Sequence, residues 1–214
     1  MYNGQACQDK YILNVLKNKT NGYFLEIGSN HPILISNTYL LEKEYNWKGV
    51  MVEYEASFLP LYKQHRPNSI PCIHDATTLD YKTIFEDNNI PLCLDYLQID
   101  LEVSNGSTVK TLQKLNDEIF DKYTFATVTF EHDIYSGNFY NTRELSREIF
   151  RSRGYICVFK DINNGGNPYE DWYVHPSLID MDYINKLIEK NTKNYEPHEL
   201  TGVSINWKHI NYDM

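Results

Sequence analysis

One repeated unit constrains this chain more than any other feature. A short apolar run is followed by a stretch with helical spacing, and most of the runs stop at a carboxylate. The runs are Tyr23–Ile27, which contains Glu26 and ends at Gly28, Gly49–Val52 before Glu53, Ser69–Ile73 before His74-Asp75, Tyr96–Ile99 before Asp100, and Thr124–Phe130 before Glu131-His132-Asp133. Continuous apolar strands alternating with helices are strands buried on both faces, so the pattern predicts a doubly wound α/β sheet. In such a sheet ligands bind beyond the carboxyl ends of the strands. The acidic residues at those ends therefore share one rim, which is the expected active site.

The helical stretches fall at about 5–19, 36–45, 57–65, 80–88, 107–121, 140–153 and 181–192. Ser36 is a candidate N-cap. Pro71 marks its strand as a sheet edge, because proline cannot donate to a ladder. Two further strands are expected at Tyr155–Phe159 and Trp172–Val174. Between them, Asn163–Pro168 reads as a turn-rich, mobile loop. No repeat or linker divides the chain. Residues 1–214 read as one domain, with a core over about 5–176 and a C-terminal helix and tail over 177–214.

Charge excludes some partners. A net charge of −9 disfavours electrostatic binding to nucleic acid or to an anionic membrane. No apolar run reaches the ~18 residues of a membrane span. The N-terminus lacks the pattern of a signal peptide. A cytoplasmic location is expected, with Cys7, Cys72, Cys93 and Cys157 as reduced thiols.

Only one glycine, Gly28, follows the first strand, where a dinucleotide fingerprint needs several. That argues against a nicotinamide-dependent oxidoreductase. Glu53 is placed to accept hydrogen bonds from ribose hydroxyls, and Asp75-Ala76 could receive an adenine amino group. In this order the features favour an adenosine ligand without pyrophosphate, S-adenosylmethionine.

The sequence also resembles the FkbM family of methyltransferases. The resemblance rests on Gln8-Asp9-Lys10, Gly22–Asn30, Ser36-Asn37-Thr38, Leu41–Glu44, Trp47–Val50 with Glu53, Asp95–Glu102, Glu131-His132 and Asp171–Val174, covering roughly residues 5–176. Two positions depart from the family pattern: His31-Pro32 follows Asn30 where Asp-Gly is common, and Val103 stands where glycine is usual. The resemblance implies a class I, Rossmann-like sheet of about seven strands with helices on both faces. It also implies O-methylation, often of sugars. Small members similar to this chain are associated with glycan decoration, including in large DNA viruses of algae, so the cytoplasm could be that of an infected host cell. Carried onto this chain, the cofactor set is Gln8, Lys10, Glu26, Gly28, Asn30, Ser36, Asn37, Glu53, Asp75 and Ala76. The expected acceptor is a sugar, nucleotide-sugar or glycan, and a homodimer is compatible.

An alcohol is a poor nucleophile at neutral pH and needs a base or a metal. Asp100, Glu131 and His132 are the candidate catalytic set, with Asp100 or His132 taking the proton. The same three could hold Mg²⁺ or Mn²⁺, which suit oxygen ligands. Glu102 and Asp133 stand beside them. Tyr135, Phe139 and Tyr140 could stack on a sugar or serve as packing. Arg143, Arg147 and Arg151 recur on one helical face, either solvated or as a landing strip for phosphate. A catalytically silent glycan- or partner-binding module on the same fold is the competing reading.

Overall fold

The computed structural model describes residues 2–190 and 197–202. The strands are β1 (Tyr23–Ile27), β2 (Lys48–Glu53), β3 (Ile70–Ile73), β4 (Cys93–Ile99), β5 (Thr124–Glu131), β6 (Ile156–Asn164) and β7 (Asn167–Val174). They form one seven-stranded sheet in the order β3-β2-β1-β4-β5-β7-β6. β1 to β5 pair in parallel, while β7 is antiparallel to both β5 and β6. Pro71 lies on the edge strand β3, as its missing N–H requires.

The helices are α1 (Gln8–Val15), α2 (Tyr39–Tyr45), α3 (Leu59–His65), α4 (Tyr81–Asp87), α5 (Ser107–Glu118), α6 (Tyr140–Ser152), α7 (Met181–Lys190) and α8 (Pro197–Thr201). α8 was not anticipated, and the expected last residues of the preceding helix, 191 and 192, lie outside the described residues. No described helix is long and apolar enough to cross a membrane.

Side chains alternate across each strand, so the sheet builds two cores. On one face Leu25, Ile27, Val50, Val52, Leu97, Ile99, Val128 and Phe130 pack with Tyr81, Phe85, Leu112, Leu115 and Phe150 of α4, α5 and α6. On the other, Phe24, Met51, Tyr96 and Trp172 pack with residues of α1, α2, α3, α7 and α8, among them Tyr11, Leu41, Tyr62, Ile184 and Leu200.

The second face changes character along its length. Phe24 gives way to Glu26 and then Gly28, Tyr96 to Gln98 and then Asp100, and Thr127 to Thr129 and then Glu131. The register sets Glu26 beside Gln98, Gln98 beside Thr129, and Glu131 beside Glu170. An apolar core thus becomes a polar floor at the carboxyl ends of the strands.

The segment over 163–168 is ordered differently from the expectation. It is the tip of a long β6–β7 hairpin, with Asn164 paired to Asn167 and only Gly165-Gly166 between them. Both glycines have positive φ (59° and 85°), as a two-residue turn of the I′ kind requires. The sequence-based strands at 155–159 and 172–174 were short because Lys160, Asp161, Asn163 and Asn164 are polar. β6 is the outer strand, so much of it faces solvent and carries no continuous apolar run.

Candidate functional site

The loop after β1 passes hard against the end of β4. A Cβ on Gly28 (φ 81°) would lie 1.7 Å from the Asp100 carbonyl oxygen, so no other residue fits this turn. The backbone N–H groups of Gly28 and Ser29 donate to the Val52 carbonyl, and Asp100 N–H donates to Ile27. Three strand ends are therefore pinned around one glycine.

Above them lies a polar cavity of about 360 Å³. Its lining includes Glu26, Gly28, Asn30, Ser36, Glu53, Gln98, Asp100, Glu102, Glu131 and Asp133. A second, more apolar cavity of about 390 Å³ adjoins it, lined by Tyr54, His74, Asp75, Ala76, Leu101, Asn105 and Ser107 among others. The two share Glu53, Leu101 and Glu102. Glu53 stands at the junction. Its carboxylate accepts from the Asn30 N–H (2.7 Å) and the Glu55 N–H (2.8 Å), which fixes it between the cavities. Asp75 is turned toward Thr77, whose hydroxyl and N–H both donate to it and hold its carboxyl below the usual range.

Asp100 and Glu131 end adjacent strands and hydrogen-bond each other. Burial raises the pKa of both, and the Asp100 charge pushes Glu131 further up. Like charges this close cannot both ionise, so the pair retains a proton at neutral pH. The remaining negative charge is a base held in a low-dielectric pocket.

Glu170 sits beneath this pair in register with Glu131, fully buried. Its Oε1 accepts from Trp172 Nε1 (2.7 Å) and Gln8 Nε2 (3.1 Å). Burial drives its pKa up to about 8, with the Asp100 charge adding to the rise, against the lowering effect of these hydrogen bonds. An acid whose pKa is higher in the folded state stabilises the fold below its unfolded value and loses that contribution as pH rises through the folded value. Glu170 therefore destabilises the protein progressively between about pH 4.5 and 8, by about 3 kcal/mol at pH 7. Glu170→Gln keeps an acceptor for both donors and removes the charge. Its melting temperature should exceed that of the wild type at pH 8 and match it near pH 4.5. Parallel melting curves for the two proteins across that window would contradict the assignment.

His132 does not join Asp100 and Glu131. Glu131 lines the cavity, but the next residue along the chain turns away, and the ring is wholly buried. Its Nε2 lies 3.5 Å from both Asp161 and Asp171. Asp161 occupies a bulge in β6 at φ 57° and donates its N–H to Asp171. Arg147 grips the same two carboxylates, with contacts of 2.7 and 2.8 Å to Asp171 and 2.9 Å to Asp161. Burial would raise the Asp171 carboxyl, but Arg147 and His132 hold it well below the usual range. His132, Asp161 and Asp171 are the one set of three potential metal ligands that converge among the described residues. Arg147 already supplies the cation there. The expected metal set of Asp100, Glu131 and His132 is thus not brought together, and His132 is not placed to take a proton from an acceptor in the cavity. The same contacts revise the phosphate landing strip, because Arg143 and Arg147 are both committed to Asp161.

Of the expected cofactor residues, Glu26, Gly28, Asn30, Ser36 and Glu53 line the first cavity, and Asp75 and Ala76 the second. Gln8, Lys10 and Asn37 line neither. Gln8 supports Glu170 and Asn37 donates to Gln98 (2.6 Å), so both act from below the floor. Lys10 lies over the Tyr2 ring. Sequence reasoning missed Arg66. This side chain is fully buried, 2.8 Å from Glu42 and 3.8 Å from Glu26, and it donates to Thr38 (2.6 Å). Burial nonetheless outweighs Arg66 and raises the Glu26 carboxyl. A lone arginine closing a helix carries no sequence signal for such a role.

The architecture is shared with solved structures. It is similar to a TehB-like SAM-dependent methyltransferase from Corynebacterium glutamicum, with a TM-score of 0.52, 9% identity, and coverage of 78% of this chain and 87% of that one. It is also similar to a methyltransferase from Pyrococcus furiosus (TM-score 0.51, 17% identity, 78% and 81% covered). A third likeness is to a protein in the NADB-Rossmann superfamily from Streptococcus agalactiae (TM-score 0.51, 14% identity, 78% and 67% covered). The fold is Rossmann-like. At these identities the likeness is one of fold alone. No family model matches the chain, and no curated protein does.

Proposed function

We propose that this protein is an S-adenosylmethionine-dependent O-methyltransferase acting on a hydroxyl of a sugar or glycan, related to the FkbM family. One observation carries the reading. A slot suited to an adenosine and a cavity with a proton-retaining carboxylate pair adjoin at Glu53, at the carboxyl ends of the strands. The more apolar slot takes the adenine, Glu53 the ribose hydroxyls, and the polar cavity the methionine end and the acceptor. The methyltransferases among the structural neighbours support the cofactor. The sequence resemblance supports the acceptor class.

The reaction is an in-line displacement at a sulfonium, so positioning supplies much of the acceleration. The ionised member of the Asp100–Glu131 pair accepts the hydroxyl proton as the carbon–oxygen bond forms. A silent binding module has no use for a paired, half-buried carboxylate that costs stability, so the pair favours an enzyme.

Glu53→Ala tests the cofactor assignment. It should weaken S-adenosylhomocysteine binding by about 1.5–3 kcal/mol, the range for hydrogen bonds to a charged group. Calorimetry showing unchanged affinity would remove Glu53 from the ribose site.

A further inference from the structure

The described lining of the two cavities contains six carboxylates beside Asp75: Glu26, Glu53, Asp100, Glu102, Glu131 and Asp133. It contains no lysine and no arginine. Three nearby arginines are spent elsewhere, and Lys110 reaches the Asn105 carbonyl (3.4 Å) at the second cavity, not the first. Arg66 is buried against Glu42 and Glu26, and Arg143 and Arg147 are bound to Asp161. The outer lip is acidic as well, with Asp133 near enough to raise the Tyr135 hydroxyl pKa. Tyr135 itself is about half exposed on that lip.

Phosphate binding relies on cations or on free backbone N–H groups at a glycine-rich turn. The loop after β1, which lines the first cavity, offers neither. Gly28 and Ser29 N–H donate to Val52, and Asn30 N–H donates to Glu53. Carboxylates in a concave site focus a negative potential that repels an anionic partner. The same carboxylates accept hydrogen bonds from neutral hydroxyls.

We infer that the acceptor cavity selects against phosphate, so the methyl acceptor is an uncharged polyhydroxyl compound, neither a sugar phosphate nor a nucleotide-sugar. This rests on the methyl-transfer reading for the reaction and on the carboxylate lining for the charge rule. It narrows the acceptor class that the sequence resemblance leaves open.

The test pairs each of several methyl glycosides with its 6-phosphate and with the corresponding nucleotide-sugar, using labelled S-adenosylmethionine. Transfer to an unphosphorylated member should exceed transfer to its phosphorylated partner by roughly 100-fold in kcat/KM, as like-charge contact predicts. The paired variant Glu102→Gln with Asp133→Asn should shrink that ratio by roughly tenfold. Equal or preferred transfer to the phosphorylated member overturns the inference. If the panel gives no product at all, titration of pyrophosphate into the protein by calorimetry decides the matter. Saturable millimolar binding overturns the charge rule, and no binding upholds it. S-adenosylhomocysteine calorimetry is run alongside. Failure of that ligand to bind removes the methyl-transfer reading, while the pyrophosphate result still judges the charge rule.

Discussion

Asp100→Asn should lower kcat by at least ~100-fold, the usual effect of losing a positioned base, with S-adenosylhomocysteine affinity nearly unchanged. Asparagine keeps the size of the side chain and can still hydrogen-bond Glu131, so the cavity should retain its shape. What disappears is the charge that the pair shares. Removing that charge also relieves one cause of the raised Glu131 pKa. The residual activity should therefore follow the titration of Glu131 alone, with an acid limb displaced from that of the wild type. A merely structural role for Asp100 would not move the limb. Wild-type kcat in this variant would exclude the pair as the proton acceptor.

Arg66→Met should destabilise the fold by about 3–5 kcal/mol, the cost of leaving buried charges without their partner. Arg66 contacts Glu42, Glu26, Thr38 and Ser36, and its Nη1 also donates to the Pro32 carbonyl. It therefore ties α2 and the loop after β1 to the end of α3. Glu26 lines the first cavity, so the loss should reach the candidate site. Chemical denaturation at neutral pH measures the effect directly. The triple variant with Met at 66 and Gln at 26 and 42 should recover much of the stability, because no unpaired charge is then buried. A single Arg66→Met variant within 1 kcal/mol of wild type would show that this cluster contributes only surface-like electrostatics.

The parts legible in the sequence were those set by local pattern. β1, β2, β4 and β5 are buried on both faces and so announce themselves as apolar runs. Glu53, Asp100 and Glu131 were legible because a strand that stops at a carboxylate in this fold class presents it at the rim. Three things were not legible. The orientation of His132 depends on where β5 stops following the pleat, and on a bulge at Asp161 two strands away. The support given by Gln8, Asn37 and Glu170 is tertiary, crossing up to 162 residues of sequence. Arg66 forms ion pairs with residues 24 and 40 positions earlier, which no spacing rule connects.

The β6–β7 hairpin has one more consequence. β5 leaves the sheet at Glu131, but the chain beyond it continues along the hairpin, with His132 and Asp133 N–H donating to Tyr169 and Tyr135 N–H donating to Pro168. The hairpin tip therefore stands as a parapet beside the acidic lip. A Cβ at Gly165 or Gly166 would meet nothing within 4 Å, so the turn is bounded by its backbone geometry and not by neighbours. Because an antiparallel ladder repeats every two residues per strand, such a parapet can grow or shrink by matched pairs without disturbing Glu170 or Asp171 below. Its height is a quantity that can change independently of the carboxylates at the strand ends, setting how deeply the acidic cavity is recessed.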